Sequence, residues 1–297
     1  ACPFCFKEGT LRPICTEGFV HRGVPFTCRG CGGSYFQRSI ADSDADEYWG
    51  DDSVNETVYT EPEVRGAFRR KYERYLSLLD RGKNPESNEQ SLLEIGCGSG
   101  IFLETAARRG WKVSGVDVSP EAIRIAKQYC PDATVVCAQV EKAGFAEGTF
   151  DLVALWDVIE HVVDPEELLR DAHRLLRPGG LLVLETPDEG CLARKLVRFI
   201  HRLTAGHQSY LHAMYYRDHR WYFSREAMAI VLRRVGFDAI RFFSETTVKE
   251  FATRKANAYG LRSVTPILSL LGVVPWFRNK IVVMAKIAGP LAKATRI

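Results

Sequence analysis

From Ser91 onward the chain alternates apolar runs of strand length with segments of helix length, and this alternation limits its folding more than any other feature. Ser91–Ile95 reads as a strand ending in a glycine loop, Ile101–Arg109 as a helix closed by Gly110, and Trp111–Val118 as the second strand. Ser119-Pro120-Glu121 opens the next helix, with Ser as its cap and Pro at its first position. Thr134–Ala138 and Phe150–Trp156 are strands three and four, Asp164-Pro165 starts another capped helix, and a further capped helix begins at Ser224. Arg177-Pro178-Gly179-Gly180 reads as a loop before strand five, Leu181–Thr186, and Lys280–Lys286 reads as the last strand. Strands separated by helices are joined as parallel neighbours, so the succession predicts an α/β, doubly wound, mostly parallel sheet. Ligands of such sheets bind beyond the carboxyl ends of the strands, near the switch point.

The glycine loop, Glu94-Ile95-Gly96-Cys97-Gly98-Ser99-Gly100, fails the dinucleotide pattern because its third glycine follows the second by two residues and not three. It also begins with a carboxylate, which repels a pyrophosphate. Asp117 closes the second strand 21 residues past Gly96, where a carboxylate takes the hydroxyl protons of a ribose. A nucleoside ligand without phosphates fits this combination.

These segments, with Gly115-Val116-Asp117-Val118-Ser119-Pro120, Phe150-Asp151-Leu152-Val153, Trp156-Asp157-Val158-Ile159-Glu160-His161-Val162 and Leu176-Arg177-Pro178-Gly179-Gly180, stand in one order. In that order the chain, from about Leu92 to Lys286, resembles the class I S-adenosylmethionine-dependent methyltransferases, especially a subgroup similar to ubiquinone-biosynthesis methyltransferases. The resemblance implies a Rossmann-like, seven-stranded sheet with helical cap insertions and S-adenosylmethionine as cofactor. It implies that Gly96, Gly98 and Gly100 let the backbone approach the methionine moiety while Glu94 orders the loop. Asp117 would hold the ribose hydroxyls, Val118 would pack on adenine, Gln139 and Val140 would stand where the family contacts the adenine amino group, and Asp157 would line the methionine end. Gln139 departs from the family's usual Asp at its position.

The first 40 residues are a separate matter. Of nine cysteines, Cys2, Cys5, Cys28 and Cys31 form two C-x2-C knuckles separated by 22 residues, the spacing of a structural zinc site. Four thiolates make a closed tetrahedral site with no open position for substrate, and the pattern resembles a zinc ribbon. Cys15 and His21 are weaker candidates for the same ion. Residues 41–60 read as an acidic linker, with seven Asp or Glu and no Lys or Arg up to Glu56. Glu61–Arg81 reads as a helix carrying Val64, Phe68, Tyr72, Tyr75, Leu76 and Leu79 on one face. The expected organisation is a zinc ribbon at 1–40, the linker at 41–60, and a catalytic domain at 61–297 with cap insertions at about 188–223 and 247–276.

Methyl transfer to a hydroxyl needs a base, and His161 and His219 are the candidates because an imidazole titrates near neutral pH. The insertion at 188–218 carries His201, His207, Tyr210, His212, Tyr215 and Tyr216 and is expected to roof the substrate. Within it, Ala193–Leu203 reads as a basic amphipathic helix. Residues 190–297 hold 19 basic against 5 acidic side chains, whereas 1–189 hold 21 against 32, so the net charge of +3 hides a strongly basic last third. Such a surface attracts anionic small molecules, lipid headgroups or nucleic acid. The longest apolar run, Val264 to Phe277, is interrupted and too short to span a bilayer, and the N-terminal residues do not read as a secretory signal, so a cytoplasmic location with peripheral membrane contact is expected. The expected activity is methyl transfer to a hydroxyl of an anionic or lipid-linked small molecule or a sugar or glycan precursor. Two alternatives remain open: an RNA methyltransferase that grips phosphates with the ribbon and the basic third, and a non-catalytic zinc-ribbon adaptor.

Overall fold

The computed structural model describes residues 1–15, 24–36, 59–80, 90–203, 214–215, 219–248 and 278–287. His21, the acidic run of the linker, His207, Tyr210, His212, Tyr216 and nearly all of the insertion at 247–276 lie outside the described residues.

The apolar runs form the expected sheet. Strands β4 (Gln90–Ile95), β5 (Trp111–Asp117), β6 (Thr134–Cys137), β7 (Phe150–Trp156), β8 (Leu176–Pro187), β10 (Phe237–Glu245) and β11 (Lys280–Ile287) stand in the order β10-β11-β8-β7-β4-β5-β6. β4 to β8 run parallel, and β11 is antiparallel to both β8 and β10. Because strand side chains alternate between faces, neighbouring residues feed two cores. Leu93, Ile95, Val153, Leu155 and Leu184 join one, with helices α4 (Pro165–Leu175) and α6 (Arg225–Val235). Leu92, Leu152, Ala154, Trp156 and Val183 join the other, with α1 (Pro62–Asp80) and α2 (Ile101–Ala107). Burial on both faces is why these strands read as continuous apolar runs.

The expected caps form. Ser119 accepts from the Ala122 amide at 3.2 Å to start α3 (Pro120–Tyr129), Asp164 accepts from Glu166 and Glu167 at 2.8 and 3.0 Å, and Ser224 accepts from Ala227 at 3.0 Å. Two elements differ from expectation. β8 begins at Leu176, and the register jumps from Phe150 opposite Leu176 to Leu152 opposite Leu181, so Arg177 to Gly180 form a bulge within the strand and not a loop before it. β10 was not anticipated, because it is an edge strand whose half-exposed residues carry little apolar periodicity.

At the N-terminus β1 (Leu11–Pro13), β2 (Pro25–Cys28) and β3 (Ser34–Phe36) form an antiparallel sheet. Its fourth strand, β9 (Trp221–Tyr222), comes from the far end of the chain and pairs antiparallel with β3. The module packs on the face covered by α4 and α6. A Cβ at Gly33 would lie 2.7 Å from the Phe4 ring and 2.9 Å from Ala227 Cβ, so this approach requires glycine. Among the described residues no helix is long and apolar enough to cross a membrane.

Leu155, fully buried in β7, is expected to cost about 2–5 kcal/mol when replaced by Ala. Asp164→Ala should cost only about 1 kcal/mol, the worth of one helix cap. Denaturant titration of both variants checks the ranking.

Candidate active site

The chain leaves β4 towards β5 on one side and returns to β7 on the other, so the switch point lies between the carboxyl ends of β4 and β7. The glycine loop turns there. Gly96 and Cys97 both donate their amides to the Val116 carbonyl, at 2.8 and 3.1 Å, which folds the loop back over β5. Gly96, Gly98 and Gly100 are left-handed, with φ of 71°, 48° and 72°. A Cβ at Gly96 would sit 2.4 Å from Val158 Cγ2, whereas one at Gly98 would meet nothing within 4 Å. The loop is therefore clamped at its start and open at its crest.

Asp117 faces that crest. Its Oδ2 accepts from the Gly98 amide at 2.8 Å and its Oδ1 from the Ser119 amide at 2.9 Å. Burial raises its pKa, opposed by these amides and by Val118. Each oxygen retains a lone pair for a further donor. Val118, the next residue, is an apolar side chain 39% exposed at the strand end. Beneath the loop Glu94 is buried, its Oε2 has no hydrogen-bond partner, and burial, with Asp117 nearby, pushes its pKa well above the usual carboxylate value against the opposing Leu103 backbone. Gln139 caps a short 3-10 turn, Val140–Lys142, and its Oε1 accepts from Lys142 at 2.7 Å, while Val140 is buried.

Helix α1 braces the site with charges that the sequence pattern did not single out. Arg65 and Glu104, both buried, pair at 2.8 Å, and Arg65 reaches the Ser99 carbonyl of the glycine loop at 3.3 Å. Nearly two turns further along the helix, Lys71 pairs with Glu185 at 2.6 Å, Glu185 pairs with Lys280 at 3.0 Å, and Lys280 bonds Asp157. Asp157, just after β7, has a φ of 56° and is turned onto Lys280. Burial opposes ionisation of both members, yet Lys280 and Lys71 hold the Asp157 carboxyl below its ordinary value, and Asp157 and Glu185 hold the Lys280 ammonium above its own. The signal that could have found this network is Glu185, the one acid inside the apolar run Leu181–Thr186, and Lys280 at the head of an apolar strand.

His161 and His219, 58 residues apart in sequence, meet with ring centroids 4.6 Å apart at an interplanar angle of 90°. Ligand atoms of Glu160, His161 and His219 all lie within 4.8 Å of one another. Glu160 is fully buried and accepts from Thr186 Oγ1 at 3.0 Å, and burial followed by repulsion from Asp157 drives its pKa well up.

The first insertion departs from expectation. Tyr215 is not a roof residue: it is buried against Tyr222 with ring centroids 4.9 Å apart, and its hydroxyl donates to Glu189 at 2.8 Å. Helix α5 (Leu192–Leu203) buries Arg194 on Glu189 at 3.1 Å. Its Leu192, Leu196, Phe199 and Leu203 are 40–70% exposed. Where α5 begins, beyond the end of β8, a cavity of about 350 Å³ is lined by Asp188, Lys195, Arg225 and Arg278.

The cysteine knuckles converge. Cys2 and Cys31 sulfurs are 3.7 Å apart, as are those of Cys5 and Cys28, and all four lie within 4.8 Å of one another. A zinc ion with Zn–S bonds of about 2.3 Å needs tetrahedron edges of about 3.8 Å, so the set fits the ion. Cys15 is buried in a different cluster, with Ile14, Phe36, Tyr215 and Tyr222.

Residues 63–241 match the methyltransferase domain family. A mitochondrial ubiquinone biosynthesis O-methyltransferase of Schizosaccharomyces pombe is 40% identical over 128 residues, 41% of this chain and 46% of the relative. A ubiquinone biosynthesis O-methyltransferase of Xanthomonas oryzae is 36% identical over 100 residues, 32% of this chain and 42% of the relative. The matched stretch thus spans less than half the length of each of these relatives. In fold, the chain is similar to Haemonchus contortus phosphoethanolamine N-methyltransferase 2, solved with S-adenosyl-L-methionine, with a TM-score of 0.58 at 18% identity over 84% of this chain and 61% of that one. It is similar also to magnesium protoporphyrin IX methyltransferase from Synechocystis, with a TM-score of 0.56 at 16% identity over 83% of this chain and 99% of that one. The parallel sheet, the glycine loop at its switch point and a family match covering more than half of the sequence agree, and the chain belongs to the methyltransferase domain family.

Proposed function

We propose that this chain is an S-adenosylmethionine-dependent O-methyltransferase acting on a hydroxyl of a lipid-linked or anionic small molecule. The observation that carries the proposal is the open glycine loop facing the Asp117 carboxylate, with Glu94 below it: a cradle for a nucleoside and not for a pyrophosphate. Asp117 accepts the ribose hydroxyls, Val118 covers one face of the adenine, the loop from Gly96 to Gly100 holds the methionine end, and Glu94 supports that loop from below. When bound, the cofactor supplies a methyl group already activated on a sulfonium, so the protein's task is alignment of the acceptor and removal of its proton. His161 or His219 takes that proton, with Glu160 held beside the pair by Thr186. The network of Lys71, Glu185, Lys280 and Asp157 fixes the floor between α1 and the strand ends.

Three observations support the acceptor class. Two relatives are named for O-methylation in ubiquinone biosynthesis, the stripe on α5 leaves four large apolar side chains exposed, and Lys195, Arg225 and Arg278 bring positive charge to one cavity. An apolar stripe edged by Lys195 and Arg202 suits peripheral contact with an anionic membrane. The four thiolates would hold a structural zinc ion, since a closed set offers no position for substrate.

Asp117→Ala is expected to weaken S-adenosylhomocysteine binding by on the order of 10- to 100-fold, as loss of charged hydrogen bonds implies, and unchanged affinity in calorimetry would refute the ribose assignment. His161→Ala or His219→Ala should lower turnover of a long-tailed dihydroxybenzene by on the order of 10²- to 10⁴-fold with cofactor affinity intact. Full turnover in both variants would show that neither is the base. Glu94 has a raised folded-state pKa, so the stability it contributes in acid is lost as pH rises through that value. The melting temperature of Glu94→Gln should therefore gain on the native protein as pH rises from 4 to 8, and a constant difference would contradict the assigned shift.

A further inference from the structure

The segment carrying His219 is held from two sides. On the sheet side, Arg220 and Trp221 both donate their amides to the Glu160 carbonyl, at 2.8 and 3.1 Å, and the Trp221 indole donates to the Val162 carbonyl at 2.9 Å. These bonds bracket His161, so the turn after β7 and the segment before β9 move as one piece. On the other side lies the cysteine module. Tyr35 pairs with Trp221 in the β3–β9 ladder, the Phe36 amide donates to the Arg220 carbonyl at 3.2 Å, and the Tyr35 ring stacks on Trp221 with centroids 5.9 Å apart. Phe4, between Cys2 and Cys5, meets Trp221 and Phe223 edge-on at 5.5 and 5.2 Å. Ser224, which follows β9, donates to the Cys31 carbonyl, and Arg234 donates to the carbonyl of Phe4.

We infer that the cysteine module is a positioning device for the acceptor side of the active site: through Tyr35, Phe4 and the β3–β9 ladder it fixes the strand that sets His219 against His161. A module with three strands of three or four residues has too little core to hold its own shape, so its rigidity depends on the cysteine cluster. Its loss therefore reaches the histidine pair and not the glycine loop, whose bonds run to Val116, Asp117 and Arg65. Tyr35 and Phe4 are positioning residues, since the link to the histidines runs through Trp221 and Phe223. The inference rests on the histidine pair being the acceptor-side base.

The test uses the full chain and two perturbations, Tyr35→Ala, which keeps all four cysteines, and removal of bound metal with a chelator, followed by metal analysis. Amide hydrogen exchange read by mass spectrometry should rise at least about tenfold in residues 219–224 and 160–163, with residues 92–100 unchanged. Turnover of the long-tailed dihydroxybenzene should fall about tenfold or more in kcat, with KM for S-adenosylmethionine and S-adenosylhomocysteine affinity within about twofold of the native values. Native exchange in 219–224 under both perturbations would overturn the inference, as would raised exchange accompanied by loss of S-adenosylhomocysteine binding, which marks general unfolding. Full turnover in both His161→Ala and His219→Ala would instead overturn the base assignment, whatever the exchange shows.

Discussion

The backbone leaving β4 passes so near Val158 that no residue with a Cβ fits at Gly96, and the rest of the site follows from that closeness. Because the loop starts in a left-handed turn, it folds back on the Val116 carbonyl and carries the Gly98 amide to Asp117. Because it lies against Val158, it also fixes the first residues of the turn after β7, beside Asp157. One steric constraint thus couples the strand that ends in the glycine loop to the strand that ends at Asp157. The open crest at Gly98 is its complement, a stretch of backbone that no side chain covers.

Around the site, two buried carboxylates each gather more than one cation. Glu104 gathers Arg65, Arg69 and Arg108, and Arg69 and Arg65 lower its pKa against the burial that would raise it. Glu185 similarly gathers Lys71 and Lys280. Both clusters fasten α1 across the strand ends, one at the glycine loop and one at the floor by Asp157. Buried ion pairs add little net stability once desolvation is counted, and removing one partner strands the other. Their value here is in geometry: α1 has one seating on the sheet, and that seating completes the rim of the site.

Much of this was legible in the sequence, for physical reasons that differ by element. The central strands were readable because burial on both faces leaves them apolar throughout, and the helix starts because Ser119, Asp164 and Ser224 each satisfy amides that would otherwise be orphaned. Asp117 and the cysteine knuckles were readable because their chemistry depends on spacing along the chain. The meeting of His161 with His219 was not, since it depends on β9 joining a sheet whose other strands lie some 185 residues earlier, and periodicity carries no information at that range. Lys71 and Lys280 were hidden because a lysine in a helix or at a strand end is ordinarily solvated. The inward place of Tyr215 and Arg194 was not legible, because it depends on Glu189, which is buried where the insertion begins and draws both towards it.

The central claim is that the switch point is shaped for a nucleoside lacking a pyrophosphate. Calorimetry of the native protein with S-adenosylhomocysteine and, in parallel, with NAD tests it most directly. S-adenosylhomocysteine should bind in the micromolar range or tighter, about −8 kcal/mol or better, while NAD gives no heat. Binding of NAD with none of S-adenosylhomocysteine would contradict the account at its root.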